Sequence, residues 1–301
     1  MKYRIGEQYG KDDNFKSKAR RHQSKFRAEI LQVDYDEYGN RLVESDAKKG
    51  LNFYQGLKIF EEVKRRYPIY SKGLYADMLR SEHIPFNIFA PLKIDLELAT
   101  SVLSPLLENK IFQVTNIMIE YAPSPNYEYL NDRTAFDVYV EYLHEDKSEG
   151  IIGIEVKYTE HEYKLKTGSK EEQDVNNPDS LYYQLTEKIN LYKPEKLSEL
   201  PKDTYRQVWR NQLLGESILQ KPDSSFKHFA SLLLYPDGNS HFKELTNEYS
   251  GFLLPNEELK FAGITFERLF EIIEAGISDK EWYDWVSYLR SRYLISSASG
   301  A

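Results

Sequence analysis

The sequence predicts one elaborated α/β domain, and three observations lead there. Four strand-like runs occupy the middle of the 301-residue chain, amphipathic helical segments flank them, and neither an internal repeat nor a Pro/Gly-rich linker divides it. Composition agrees, because 41% hydrophobic and 29% charged residues suit a globular chain long enough to bury a sizeable core.

In chain order, a cap at Asp12 predicts a helix through "DNFKSKARRHQSKFRAEIL" to about Leu31. Lys16, Lys18, Arg20, Arg21, Lys25 and Arg27 crowd its surface, as a solvated face or as an arm that contacts phosphate. "DYDEYGNRL" reads as a turn. "GLNFYQGLKIFEEVKRRY" predicts a second helix, with Leu57, Phe60 and Val63 at helical spacing and Pro68 as its stop. The segment "LYADMLRSEHIPFNIFAPL" reads as a buried helical turn and loop, and "IDLELATSVLSPLL" as an amphipathic helix striped with Leu96, Ala99, Leu103 and Leu106.

Strands are expected over 112–122, 134–143 and 151–159, the last two joined by the polar link "HEDKSEG" and therefore paired antiparallel. A lysine-rich stretch (160–178) leads to the helices "DSLYYQLTEKINLY" and "TYRQVWRNQLLGESILQ" and then to the strand "FASLLLYP". The C-terminal quarter reads as helical. A capping box of Ser278 and Glu281 opens "DKEWYDWVSYLRSRYL", and a frayed "SSASGA" ends the chain.

Several function classes are excluded. Without cysteine there is no disulfide, thiolate zinc site or cysteine nucleophile. Six scattered histidines form no pair at metal-ligand spacing, so any metal is expected on oxygen. The absence of a long apolar run and of a signal-peptide core in "MKYRIGEQYGKDDNFK" predicts a soluble, cytoplasmic protein without a membrane partner. A net charge of −8 argues against coating nucleic acid through the overall field. Residues 1–30 nevertheless hold nine Lys or Arg against four Asp or Glu, which leaves room for a local basic arm.

Chemistry is suggested by charges inside the strands. Side chains alternate faces, so Ile152, Ile154, Val156 and Tyr158 share one face and Glu155 and Lys157 the other; Phe136, Val138, Val140 and Tyr142 likewise oppose Asp137. If the strands are neighbours, Asp137, Glu155 and Lys157 converge. Two buried carboxylates repel and are costly to desolvate, and a divalent cation removes both penalties. Magnesium, which takes one or two carboxylates and phosphate oxygens, suits in-line attack of an activated water on a phosphodiester, with the lysine reaching toward water or phosphate. The plain alternative is a half-exposed strand with a cross-strand Asp–Lys pair.

Asp137 followed by Glu155-Val156-Lys157 resembles the signature of the PD-(D/E)XK nuclease superfamily. The segments "RTAFDVYVEY", "IIGIEVKYTE", "FNIFAPL" and "YRQVWRNQLL" are similar to a bacterial branch of it, from about Phe26 to Leu294. The resemblance implies a restriction-endonuclease-like core, a mixed four-stranded sheet flanked by helices, with N- and C-terminal helical additions. It divides the chain into a partly basic helical region at 1–75, the nuclease-like core at 76–240 and a helical extension at 241–301.

The resemblance further implies Asp137 and Glu155 as ligands of Mg²⁺, with Mn²⁺ as a substitute, the Val156 carbonyl as another metal oxygen, and Lys157 as the residue that positions water. Glu82 in "LRSEHIPF" stands for the helical glutamate that many members carry. Phe136 replaces the proline before the first aspartate. Gln207 and Arg210, at i and i+3 of the later helix, are expected to reach substrate phosphate or the lysine, with Gln184 a further polar candidate and Trp209 and Leu213 in the core. Glu160 orients Lys157 or ends the strand. The expected function is a Mg²⁺-dependent nuclease acting on DNA, with RNA not excluded and a homodimer or partner subunits left open. The alternative is a catalytically silent nucleic-acid-binding or scaffolding module of the same fold.

Overall fold

The computed structural model describes residues 3–160 and 165–295. Among these residues the first helix is α1 (Asn14–Phe26), continued by a π-type turn over Arg27–Leu31. Its cap is Asp13, whose side chain accepts from Lys16 N at 2.9 Å. Asp12, the expected cap, instead pairs with Arg20 at 2.5 Å. Arg20 and Arg27 are buried, and Arg27 donates to the Gly39 and Ile5 carbonyls at 2.9 Å. Two of the six basic residues thus fasten the N-terminal segment, whereas Lys18 and Arg21 stay exposed.

Short helices α2 (Glu44–Ala47), α3 (Ile59–Arg66) and α4 (Lys72–Ala76) follow. The second expected helix is therefore confined to its last two turns. The apolar segment expected as turn and loop is largely a helix, α5 (Ile84–Ile94), with Pro85 in its first turn and Pro91 inside. Nine of its eleven residues are buried, and packing outweighs the backbone bond lost to Pro91. Helix α6 (Leu96–Leu103), capped by Asp95, then leads to the sheet.

Strands β1 (Ile111–Tyr121), β2 (Phe136–His144), β3 (Glu149–Val156), β4 (Phe226–Tyr235) and β5 (Phe261–Thr265) lie side by side in that order. β2 runs antiparallel to both β1 and β3, whereas β3, β4 and β5 run parallel. The sheet is mixed as expected, but it has five strands instead of four. The additional one, "FAGIT", is a short run interrupted by glycine within a quarter that otherwise reads as helical, and only its pairing with β4 makes it a strand.

Between β3 and β4 come α7 (Lys170–Asn176), α8 (Leu181–Ile189) and α9 (Arg206–Leu219). α10 (Ser240–Ser250) connects β4 to β5, and α11 (Phe266–Gly276) and α12 (Lys280–Tyr293) complete the described chain. The Ser278–Glu281 capping box does not form. Asp279 occupies the cap position of α12 without a side-chain bond. "SSASGA" lies outside the described residues.

Alternation along the strands builds two cores. Val138, Val140, Ile152, Ile154, Val156, Leu232 and Leu234 face one layer with α5, α6, α11 and α12, while Tyr139, Ile151, Phe229 and Leu233 face α8, α9 and α10. Phe136 departs from the expected alternation and joins the second layer. Its ring lies 6.1 Å from that of Phe229 and covers Gly153, where a Cβ would have no room. Gly215 likewise lets α9 approach Phe229 closely.

The first core is pinned by Arg292, fully buried on α12. Its guanidinium donates to the Asn52 carbonyl at 2.6 Å, to Asn52 Oδ1 and to Tyr288 Oη, with His83 Nε2 at 3.1 Å. Gln23 of α1 bridges Tyr158 Oη at 2.9 Å and the Arg292 carbonyl at 2.7 Å. Arg292→Leu would strand these buried acceptors, and we expect it to lower unfolding free energy by roughly 3 kcal/mol or more in urea titrations. Arg292→Lys should recover only part of the loss, because an ammonium cannot reproduce the planar fork.

Candidate active site

The register of three neighbouring strands positions the site. Ile119 on β1 lies opposite Val138 on β2, and Val138 lies opposite Ile154 on β3. One residue along, Glu120, Asp137 and Glu155 therefore form a row across the sheet, at its edge near the start of β2 and the end of β3. Cross-strand neighbours of this kind lie about 5 Å apart at Cβ. The expected pair is brought together, and a third carboxylate joins it.

Each carboxylate has different partners. Asp137 accepts from Val156 N–H at 2.7 Å, so Val156 touches the site through its backbone. Glu155, 5% exposed, is ion-paired with Lys157 at 2.7 Å through Oε1, an oxygen that also accepts from Gln207 Nε2. Its other oxygen accepts from Asn211 Nδ2 at 2.7 Å. Gln207 thus meets the second carboxylate. Asn211, one helical turn further along α9, presents to the same face. The i, i+4 spacing of two amides was the available signal for Asn211.

Glu120 escaped sequence reasoning because a lone glutamate near a strand end is usually solvated. Its backbone has φ +58°, uncommon for a residue with a side chain, and a site is one place where such conformations are kept. Burial pushes its carboxyl up to about 7, opposed by a hydrogen bond with Tyr67 and reinforced by the charge of Glu155. Burial also raises Asp137 well above the usual carboxylate range, and the charges of Glu155 and Glu120 add to this. Burial pulls the Lys157 ammonium down, but attraction to Glu155, Asp137 and Glu160 outweighs it and leaves the group more basic than usual.

The remaining expected residues are more dispersed. Glu82 sits on the turn Ser81–His83 and pairs with Arg80 at 2.6 Å, its side chain 41% exposed, although its charge reaches Glu120. Glu160 accepts from the N–H groups of Tyr158 and Thr159 at 3.1 Å and of Ser81 at 2.8 Å, so it shapes the backbone after β3 and ties it to that turn. Arg210 is buried. Instead of facing the row with Gln207, it donates to Thr134 Oγ1 at 2.6 Å and Asp132 Oδ2 at 3.2 Å, bracing the segment that enters β2. Gln184 is exposed and donates to the Asp179 carbonyl at 2.7 Å. Trp209 and Leu213 are fully buried.

A family model described as the PD-(D/E)XK nuclease superfamily matches residues 10–295. The chain belongs to that superfamily. Comparisons with curated proteins and with solved structures gave no match. The five-stranded mixed sheet flanked by helices fits the restriction-endonuclease-like fold. PD-(D/E)XK proteins are in general nucleases, hydrolases of nucleic acid that typically use divalent metals. No described helix is long and apolar enough to cross a membrane.

The residues fit such a cation. The donor set is all oxygen, and burial together with the neighbouring carboxylate charges raises the proton affinity of Glu120 and Asp137, which is the imbalance a divalent ion offsets. A cation at Glu155 Oε1 would compete with Lys157 and Gln207 for that oxygen.

Without metal the cluster costs stability at high pH. Folded Glu120 keeps its proton up to about pH 7, whereas the unfolded chain releases it near 4.5. Stability is therefore lost between those values and stays lower above them. In chelator, Glu120→Gln should match the parent near pH 4 and exceed it by roughly 1 to 3 kcal/mol at pH 8 in urea denaturation. An advantage that does not grow with pH would show that Glu120 is not destabilised by its neighbours.

Proposed function

We propose that the chain is a Mg²⁺-dependent nuclease that hydrolyses phosphodiester bonds in DNA, with water as the nucleophile. The carrying observation is the row of Glu120, Asp137 and Glu155 with Lys157 ion-paired at its end. Asp137, Glu155 and the Val156 carbonyl would hold the cation, with a further carboxylate from Glu120 or Glu82. When bound, it would acidify a water and offset charge on the phosphate.

The chain's own residues supply the rest. Lys157 stays charged beside the row, so it acts as a hydrogen-bond donor that orients water and stabilises phosphate charge, and not as the base. Gln207 and Asn211 fix the Glu155 carboxylate from α9, and Arg210 steadies the entry of β2. DNA is proposed on the resemblance, since restriction and repair proteins share this fold. The proposal keeps residues 76–240 as the catalytic core and a cytoplasmic setting. It treats 1–75 and 241–301 as additions, although α1 and α12 close the same apolar core.

Plasmid, linear and single-stranded DNA, with RNA as comparator, should be incubated with Mg²⁺ or Mn²⁺ and the products resolved on gels. Asp137→Asn, Glu155→Ala and Lys157→Ala are each expected to lose roughly 10²-fold or more in cleavage rate. Equal rates in parent and variants would sink the mechanism, and binding without cleavage would favour the silent module. Separately, Mg²⁺ should raise the melting temperature of the parent at pH 8 in proportion to its site occupancy, and Asp137→Asn should abolish that rise.

A further inference from the structure

The opposite end of the sheet holds a second cluster. His144 ends β2, His228 lies near the start of β4, and Glu258 precedes β5; one ligand atom from each lies within 4.8 Å of the others. No pair of histidines has metal-ligand spacing in the sequence, but the sheet stacks these two rings 3.9 Å apart. The expectation of oxygen ligands alone therefore fails to foresee this group. About six residues of β3 separate it from Glu155, or about 20 Å along the strand, so it is no part of the carboxylate row.

We propose that His144, His228 and Glu258 form a binding site for a divalent transition metal of the zinc class. Hydrogen bonding sorts the ring nitrogens. His144 Nδ1 lies 3.1 Å from Asp146 Oδ1, and His228 Nε2 lies 2.6 Å from Ser148 Oγ and 3.6 Å from Asp146 Oδ2. Both outer nitrogens are thus engaged by the β2–β3 turn: His228 Nε2 meets Ser148 Oγ, which itself donates to Asp146 Oδ1, and His144 Nδ1 lies between the Asp146 carboxylate and the Asp146 N–H at 3.3 Å. Ligation through His144 Nε2 uses the tautomer that keeps the proton on Nδ1, facing the carboxylate.

The inner nitrogens face the other way. His228 Nδ1 meets Glu258 Oε1 at 2.8 Å, while Lys260 holds Glu258 Oε2 at 3.0 Å. His144 is 7% exposed, and its Nε2 is a buried polar atom with no hydrogen-bond partner among the described residues. A buried nitrogen without a partner is a cost that a ligand would remove.

Space agrees with the donors. A cavity of about 20 Å³, lined by these three residues together with Lys110 and Tyr142, has room for one water-sized particle. Two imidazoles and a carboxylate with one further position suit zinc or cobalt, whereas magnesium prefers oxygen alone. Tetrahedral bonds of about 2 Å need donors about 3.3 Å apart. His228 Nδ1 and Glu258 Oε1 would therefore open from 2.8 Å, the widest separation, at most 4.8 Å, would close, and the two rings, now only 16° from parallel, would tilt so that both lone pairs meet the ion. The bound ion would clip the β2–β3 turn to β4 and to the segment before β5.

The test uses the full chain with Zn²⁺, and with Co²⁺ as a spectroscopic probe. With excess Mg²⁺ present to occupy the carboxylate row, calorimetry should give one equivalent of Zn²⁺ for the parent and for Glu155→Ala, and Co²⁺ should give the visible absorption of a nitrogen- and oxygen-ligated tetrahedral ion. His144→Gln and Glu258→Gln should each weaken Zn²⁺ at least tenfold, and Asp146→Asn, an exposed change that spares the core, should weaken it to a lesser degree. Circular dichroism verifies that each variant is folded. The proposal is overturned if the parent binds no Zn²⁺, if the folded variants bind it as tightly as the parent, or if Glu155→Ala removes it.

Discussion

Carboxylates on adjacent strands cannot all be stripped of water unless something positive shares their charge. In this protein that constraint governs one end of the sheet. Glu120, Asp137 and Glu155 stand in line because β1, β2 and β3 are antiparallel neighbours in a fixed register. Lys157, two residues past Glu155 on the same face, supplies one ammonium for three acids. The imbalance appears in the raised proton affinities of Glu120 and Asp137, and it gives the row its capacity for a cation.

Much of the surrounding structure serves to hold that row. α9 approaches β4 closely at Gly215 and turns two amides onto Glu155, while its Arg210 grips the segment before β2. Glu160 gathers the backbone beyond Lys157 and ties it to the turn that carries Glu82. On the other face, Gln23, Tyr158 and Arg292 join the N-terminal helix and the C-terminal helix to the end of β3. Residues distant in sequence thereby support the few whose geometry matters, as preorganised sites require.

Arg20, Arg27, Arg210 and Arg292 illustrate one limit of sequence reading. The first three read from the sequence as surface cations or phosphate ligands, and all four are buried on internal acceptors. Helical spacing reports which side chains share a face but not what that face meets. The helix cap moved from Asp12 to Asp13 because the first carboxylate found a better partner in Arg20. α5 contradicted its proline content because burial of nine side chains decides helicity more strongly than propensity does. Strand β5 was illegible for a similar reason, since five residues around a glycine carry too little pattern to declare pairing.

The sequence by itself determined the α/β class, the β2–β3 hairpin and, given that hairpin, the convergence of Asp137, Glu155 and Lys157, because alternation and a short polar link act locally; the mixed sheet followed from the family resemblance. Gln207 on the site helix was legible too, though its partner was not. Tertiary structure alone decided that Glu120 completes the row, that Asn211 holds Glu155, that Arg210 serves Asp132 and Thr134, and that His144 meets His228. Those relations depend on strand register and on which helix crosses the sheet, and both are fixed by the packing of residues far apart in the chain.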